Sequence, residues 1–226
     1  DMFKNCSSLV GGQGTTYDPS NPKDKTYAHI DGGPSNPGYF TEFKEAYACY
    51  TSSNTTLTFY YDNQRSSRTG TTYDLNTGDN DTGWDTDGTN YNVTKVVFDP
   101  SFADARPTTT VTWFAEMYEL TSVEGIENLN TSEVTDMGGM FWECGSLPYV
   151  DVSGFDTHNV TNMNSMFAEC YELTGLDVSG FDTRNVTSME SMFGNCSELT
   201  FLDVSGFNTA KVTSMYNLFG GCGLTS

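Results

Sequence analysis

The chain has 226 residues, enough for one or two domains with a real core, and no apolar stretch reaches the ~18 residues that a membrane-spanning helix needs. Thirty acids against ten bases give a net charge of −20, which argues against nucleic acid and against insertion into or binding to an anionic membrane, because such partners are held by Lys and Arg clusters. Residues 101–226 hold 17 of the acids and 3 of the bases, so cations and basic partners suit that part best.

Residues 1–9, DMFKNCSSL, read as the end of a repeat met again later: Met2, Cys6 and Leu9 keep the spacing of Met140, Cys144 and Leu147. The start lacks the charged and apolar pattern of a signal peptide, and the chain is expected to be a mature or excised piece. The next stretch is rich in Gly, Pro, Asn and Asp around a strand-like run at 26–30, a composition for turns and a small closing hairpin. Between 45 and 62, AYACYT and LTFYYD flank SSNTT and predict a β-hairpin of aromatic and β-branched residues.

A polar, Gly-rich stretch follows, and within it GDNDTGWDTDG sets out Asp79, Asp81, Asp85 and Asp87. Several carboxylates on a bendable backbone suit calcium. The spacing departs from the EF-hand loop, so a solvated acidic loop is the favoured reading and calcium the alternative. VTKVVFDPSF predicts one more strand.

From residue 113 the chain repeats itself: LPYVDVSGFDTHNVTNMNSMFAEC, LTGLDVSGFDTRNVTSMESMFGNC and LTFLDVSGFNTAKVTSMYNLFGGC. Cys144, Cys170, Cys196 and Cys222 mark the same slot in successive copies at one constant interval, and a fixed period of this length predicts a solenoid. Cys170, Leu173, Leu176, Val178 and Phe181 follow leucine-rich-repeat spacing, with strands expected at 147–152, 173–178 and 199–204 and alternate side chains, Leu176 and Val178, pointing inward. Val186, Met189, Met192 and Phe193 recur at three and four residues, and Thr187 with Glu190 looks like a capping box, so helices are expected at 161–170 and 187–196. The first copy is atypical, since Val123 and Val150 stand one position further apart than Val150 and Leu176.

Equivalent cysteines form a ladder. Stacked neighbours close to strand spacing leave bridging geometrically conceivable, and reduced, packed thiols are the favoured reading. The sequons at Asn54, Asn159 and Asn185 are read as structural, those in the repeats as helix-start caps.

The repeated sentence resembles the BspA-like leucine-rich repeats of bacterial surface proteins, a variant also common in mycoplasma lipoproteins, over residues 113–222 and again at the start of the chain. The resemblance implies an extracellular or cell-surface protein for adhesion and interaction, with no catalytic motif to carry over. The fold expected is a β/α solenoid: a right-handed leucine-rich-repeat-like array with a parallel sheet and short convex helices, plus a small β-rich cap region. Its parts are a terminating segment at 1–43, a β-rich N-terminal cap at 44–112 and about four repeats at 113–226. The expected function is a non-enzymatic module for protein or glycan binding. The alternatives are a structural, self-assembling surface component and, last, an enzyme.

On the expected concave sheet, Asp151, Asp177 and Asp203 stand in one outward column, with Tyr149, Gly175 and Phe201 beside them. Hydrogen bonds from neighbouring Ser and backbone are the favoured explanation of the carboxylate column; a cation-dependent site is the alternative. Tyr149 and Phe201 offer rings for a sugar or a partner side chain. His29 and His158, the two histidines, have no nucleophile motif near them. A terminating segment ahead of an array with no terminator behind it leads to an expectation of head-to-tail self-association.

Overall fold

In the computed structural model of the chain, residues 10–16, 31, 38, 43–76 and 81–225 are described, and two compact units divide it, Asp1–Glu45 and Ala46–Ser226. In the first unit Val10 bridges Thr16, and buried Asp31 accepts from the backbone N–H of Gln13, Thr15 and Gly38 and from the Thr15 hydroxyl. Four donors offset the desolvation of that carboxylate. The partial copy at 1–9, the strand-like run at 26–30 and His29 lie outside the described residues.

The second unit carries a five-stranded mixed sheet made of β1 (Glu45–Thr51), β2 (Thr56–Asp62), β3 (Thr71–Asp74), β4 (Lys95–Phe98) and β5 (Ser122–Glu124), in the order β3-β1-β2-β4-β5. The two strands expected around SSNTT are β1 and β2, and VTKVVFDPSF supplies β4. β3 runs antiparallel to β1, whereas β2, β4 and β5 are parallel, with Leu57 opposite Val96 and Val96 opposite Val123. Alternation in β4, where Val96 and Phe98 are buried, turns one face onto an aromatic cluster. Phe59 sits at its centre, its ring 4.7 Å from Phe98 and 5.1 Å from Trp113. The indoles are satisfied: Trp84 Nε1 donates to the Trp113 carbonyl at 2.8 Å and Trp113 Nε1 to Asn76 Oδ1 at 2.6 Å.

The β/α solenoid expectation is corrected here. The regular structure is the mixed sheet just described, and among the described residues the α-helix present is the four-residue Gly83–Thr86. No helix of the described residues is long and apolar enough to cross a membrane. The repeats themselves are built from turns and isolated parallel bridges.

The reason lies in where the backbone donors go. In the expected helix at 161–170, the N–H groups of Met163, Ser165, Phe167 and Glu169 donate to the carbonyls of Ser188, Glu190, Met192 and Gly194 in the next copy. Those of Met166, Ala168 and Cys170 instead close turns onto Met163, Ser165 and Phe167. With alternate donors committed between copies, an i to i−4 ladder cannot form. Ser165 at φ 52° and Glu169 at φ 63° also break the run, as Ser191 and Asn195 do one copy later. Thr187 and Glu190 make no capping box: the Thr187 hydroxyl donates to the Thr161 carbonyl, and Glu190 accepts from Ser214.

The expected repeat strands fail for a local reason. Asp151 Oδ1 accepts from Ser153 N–H at 3.1 Å and Ser153 Oγ at 2.6 Å, folding the chain away from a ladder just where it should lengthen. What remains is the single bridge between Tyr149 and Gly175. The inward positions are nevertheless right, since Leu176 and Val178 are buried and Asp177 is exposed.

Buried columns tie the copies together. Phe141, Phe167, Phe193 and Phe219 stack ring on ring at 5.5, 5.9 and 5.7 Å with planes within 7°. Thr131, Thr157 and Thr183 are buried clamps: Thr157 Oγ1 donates to the Asp182 carbonyl at 3.2 Å and accepts from Asp182 N–H at 2.7 Å. Cys144, Cys170, Cys196 and Cys222 are free thiols, each donating to a carbonyl of the preceding copy, as Cys170 Sγ does to Phe141 at 3.1 Å. Burial pushes the Cys196 thiol up to about 12 and also raises those of Cys144 and Cys170 well above the ordinary thiol value.

Candidate binding face

The bridge between Tyr149 and Gly175 aligns the outward positions of successive copies. Tyr149 is 58% and Phe201 77% exposed, with Gly175 lying between them in sequence register.

Asp151, Asp177 and Asp203 occupy the neighbouring column as turn anchors rather than on a strand. Asp177 Oδ1 accepts from Ser179 N–H at 3.0 Å and Oγ at 2.7 Å, and Asp203 Oδ1 from Ser205 N–H at 2.9 Å. Hydrogen bonds from the serine hydroxyl and then its N–H hold all three carboxyls below their ordinary range, against repulsion from the next aspartate in the cases of Asp151 and Asp177. The carboxylates are therefore ionised and fixed in direction at neutral pH.

Among the described residues of the acidic loop, Asp85 and Asp87 turn to different partners. Asp79 lies outside the described residues. Asp85 accepts from Asn90 Nδ2 at 2.8 Å, and Asp87 accepts from the Tyr73 hydroxyl and Thr89 N–H at 2.8 and 3.0 Å. Burial, then Glu116 and Asp81, raise the Asp85 carboxyl. Among the described residues, no group of three or more His, Cys, Asp or Glu is placed to hold a metal ion.

His158 Nδ1 lies 2.6 Å from Asp156 Oδ1, a pair two residues apart on the surface. The repeat sequons are tied between copies and do not cap helices: Asn159 Nδ2 donates to the Ser132 carbonyl and Asn185 Nδ2 to that of His158.

A second surface column escaped the sequence reading. Glu116, Glu143 and Glu169 all have left-handed backbones and sit at equivalent positions, their N–H groups donating to the next copy. The Tyr91 and Tyr118 rings stack at 5.9 Å and both hydroxyls donate to Glu116, while Tyr171 donates to Glu169 at 2.6 Å. That bond pushes the Tyr171 hydroxyl up to about 12. The signal was present as a glutamate two positions ahead of a tyrosine, as Glu116 stands to Tyr118 and Glu169 to Tyr171, and as a glutamate immediately before Cys144 and Cys170.

Compared with known proteins, residues 108–225 match a family model described as Mycoplasma protein of unknown function, DUF285. No curated protein matches the chain, and no solved structure does.

Proposed function

We propose, from the premise that this chain belongs to the DUF285 family, a repeat family, that it is a non-enzymatic binding module of the cell surface or extracellular space, of the BspA-like kind its repeated sentence resembles. The ligand is a protein or a glycan, met by the face that carries Tyr149, Asp151, Asp177, Phe201 and Asp203. The observation that carries this reading is the pairing of two largely exposed rings with three carboxylates whose directions are fixed by serine hydrogen bonds. Exposed aromatics supply rigid contact area, and preset carboxylates lose little entropy when they accept from a partner.

The test is retention of the full chain on glycan and host-protein arrays, comparing the native sequence with the double variant Tyr149→Ala/Phe201→Ala. Both positions are exposed, so the variant should fold, and it should lose saturable binding. A ligand retained equally by the variant would place recognition elsewhere, and no saturable ligand at all would refute a binding module. The self-assembling alternative is read on the same preparation by light scattering over a concentration series. The enzyme alternative would overtake both if a broad activity screen found turnover that was lost on changing His29 or His158.

A further inference from the structure

The first copy is one residue too long at one place. Residues 124–129, EGIENL, occupy six positions where the second copy has the five of DVSGF at 151–155. The extra residue is taken up by Gly125 at φ 68° and a 3₁₀ turn at Ile126–Asn128. Two loops of unequal length cannot nest, and the mismatch shows at the glycines. A Cβ on Gly180 would lie 3.4 Å from the Ser153 carbonyl and one on Gly206 3.8 Å from that of Ser179, but one on Gly154 would meet nothing within 4 Å.

The space left over is a groove of about 270 Å³ whose apolar floor is Val123, Ile126, Leu129 and Phe155. Glu127 and Asp151 stand at its rim, and past Gly154 it adjoins a second cavity of about 400 Å³ that includes Asp156. Asp151 receives its serine bonds on Oδ1. Neither cavity is lined by a Lys, Arg or His. The first volume falls just under the roughly 300–1,000 Å³ of small-molecule sites, so it is sized for one side chain.

We infer that this groove receives a lysine or arginine side chain of a protein partner, its aliphatic stem on Val123, Ile126, Leu129 and Phe155 and its charged head between Glu127 and Asp151. The inference rests on the binding-module reading and names the partner chemistry. An apolar floor under an anionic rim fits a side chain that is itself apolar along its length and cationic at its end. Phe155 is 5% exposed, too little surface for a sugar ring to stack on, and the carboxylates are not grouped as a metal site among the described residues. The acidic excess of residues 101–226 would speed the arrival of a basic segment.

The experiment titrates the full chain with the blocked pentapeptide Gly-Gly-Arg-Gly-Gly, and with its neutral citrulline counterpart, following backbone amide shifts. Saturable shifts at Gly125, Glu127, Gly154 and Phe155 are expected at millimolar arginine peptide, with none for citrulline. Gly154→Leu, which fills open space, should abolish them. The double variant Glu127→Gln/Asp151→Asn should weaken binding about tenfold or more, and it decides the matter if Gly154→Leu does not fold. Equal shifts with citrulline, no shifts at these amides, or binding unchanged in a folded Gly154→Leu or in the double variant would overturn the inference. Array ligands that depend on Tyr149 and Phe201 but ignore Gly154→Leu would leave the binding module standing and remove only the groove.

Discussion

Thr157→Val removes one hydroxyl from a buried site while keeping side-chain volume. The lost atom both donates to the Asp182 carbonyl at 3.2 Å and accepts from Asp182 N–H at 2.7 Å, so one substitution deletes two bonds between adjacent copies. A neutral hydrogen bond contributes about 0.5–1.5 kcal/mol net, and a buried polar group left without a partner costs about 1–3 kcal/mol. Asp182 is half-buried, so water reaches part of the damage, and the expected loss is about 2–4 kcal/mol. For a unit of this size that corresponds to a fall of roughly 5–15 °C in Tm. Thr161→Val is the control: its hydroxyl donates to the Thr135 carbonyl at 3.1 Å from an exposed position, and that carbonyl keeps the Thr161 N–H at 2.9 Å. The same chemical change there should cost no more than about 0.5 kcal/mol. Urea unfolding at unchanged m-value measures both. Equal losses for the two variants would refute the argument that buried threonine clamps, rather than hydroxyl bonds in general, hold the copies together.

Phe193→Ala should cost about 3–5 kcal/mol, because the ring is buried and stacked on both Phe167 and Phe219, whereas Phe219→Ala, with one stacked neighbour and 37% exposure, should cost about 1–2 kcal/mol. Urea midpoints that fail to separate them would mean the column does not act through its neighbours. Among the described cysteines, native-state alkylation followed by mass spectrometry should label half-buried Cys222 first and reach Cys144 and Cys170 only on unfolding, since the thiolate is the nucleophile and burial raises their thiols. Acid should destabilise the second unit. Serine bonds depress Asp151, Asp177 and Asp203, His158 depresses Asp156, and Arg184 depresses Asp182. A depressed folded value contributes stability above the ordinary carboxylate value of about 4 and loses it as pH falls through the depressed range. Unfolding measured from pH 7 to 2 in salt that screens general repulsion should show that fall, and rising stability below pH 4 would contradict it.

Much of this protein can be read without coordinates because a period and an alternation are local properties. The repeat period sets which residues face each other in successive copies, and the two-residue alternation sets Leu176 and Val178 inward and Asp177 outward. The cysteine ladder and the strand pair around SSNTT follow in the same way. Even the groove had a sequence trace, in the one surplus position between Val123 and Val150, although nothing in the count says that it opens a space at Gly154.

What periodicity could not decide was the partner of each backbone donor. Met189, Met192 and Phe193 fall at helical spacing, yet they are buried in turns, because Met189 and Phe193 send their N–H groups to Ser214 and Leu218 of the next copy. Spacing constrains only which side chains share a face, and a helix and a stack of turns can bury the same ones. The choice goes to whichever arrangement satisfies the backbone, and here the carbonyls that accept belong to the following copy, a full repeat further along the chain. No window on the sequence contains that competition; it exists only once the copies lie side by side.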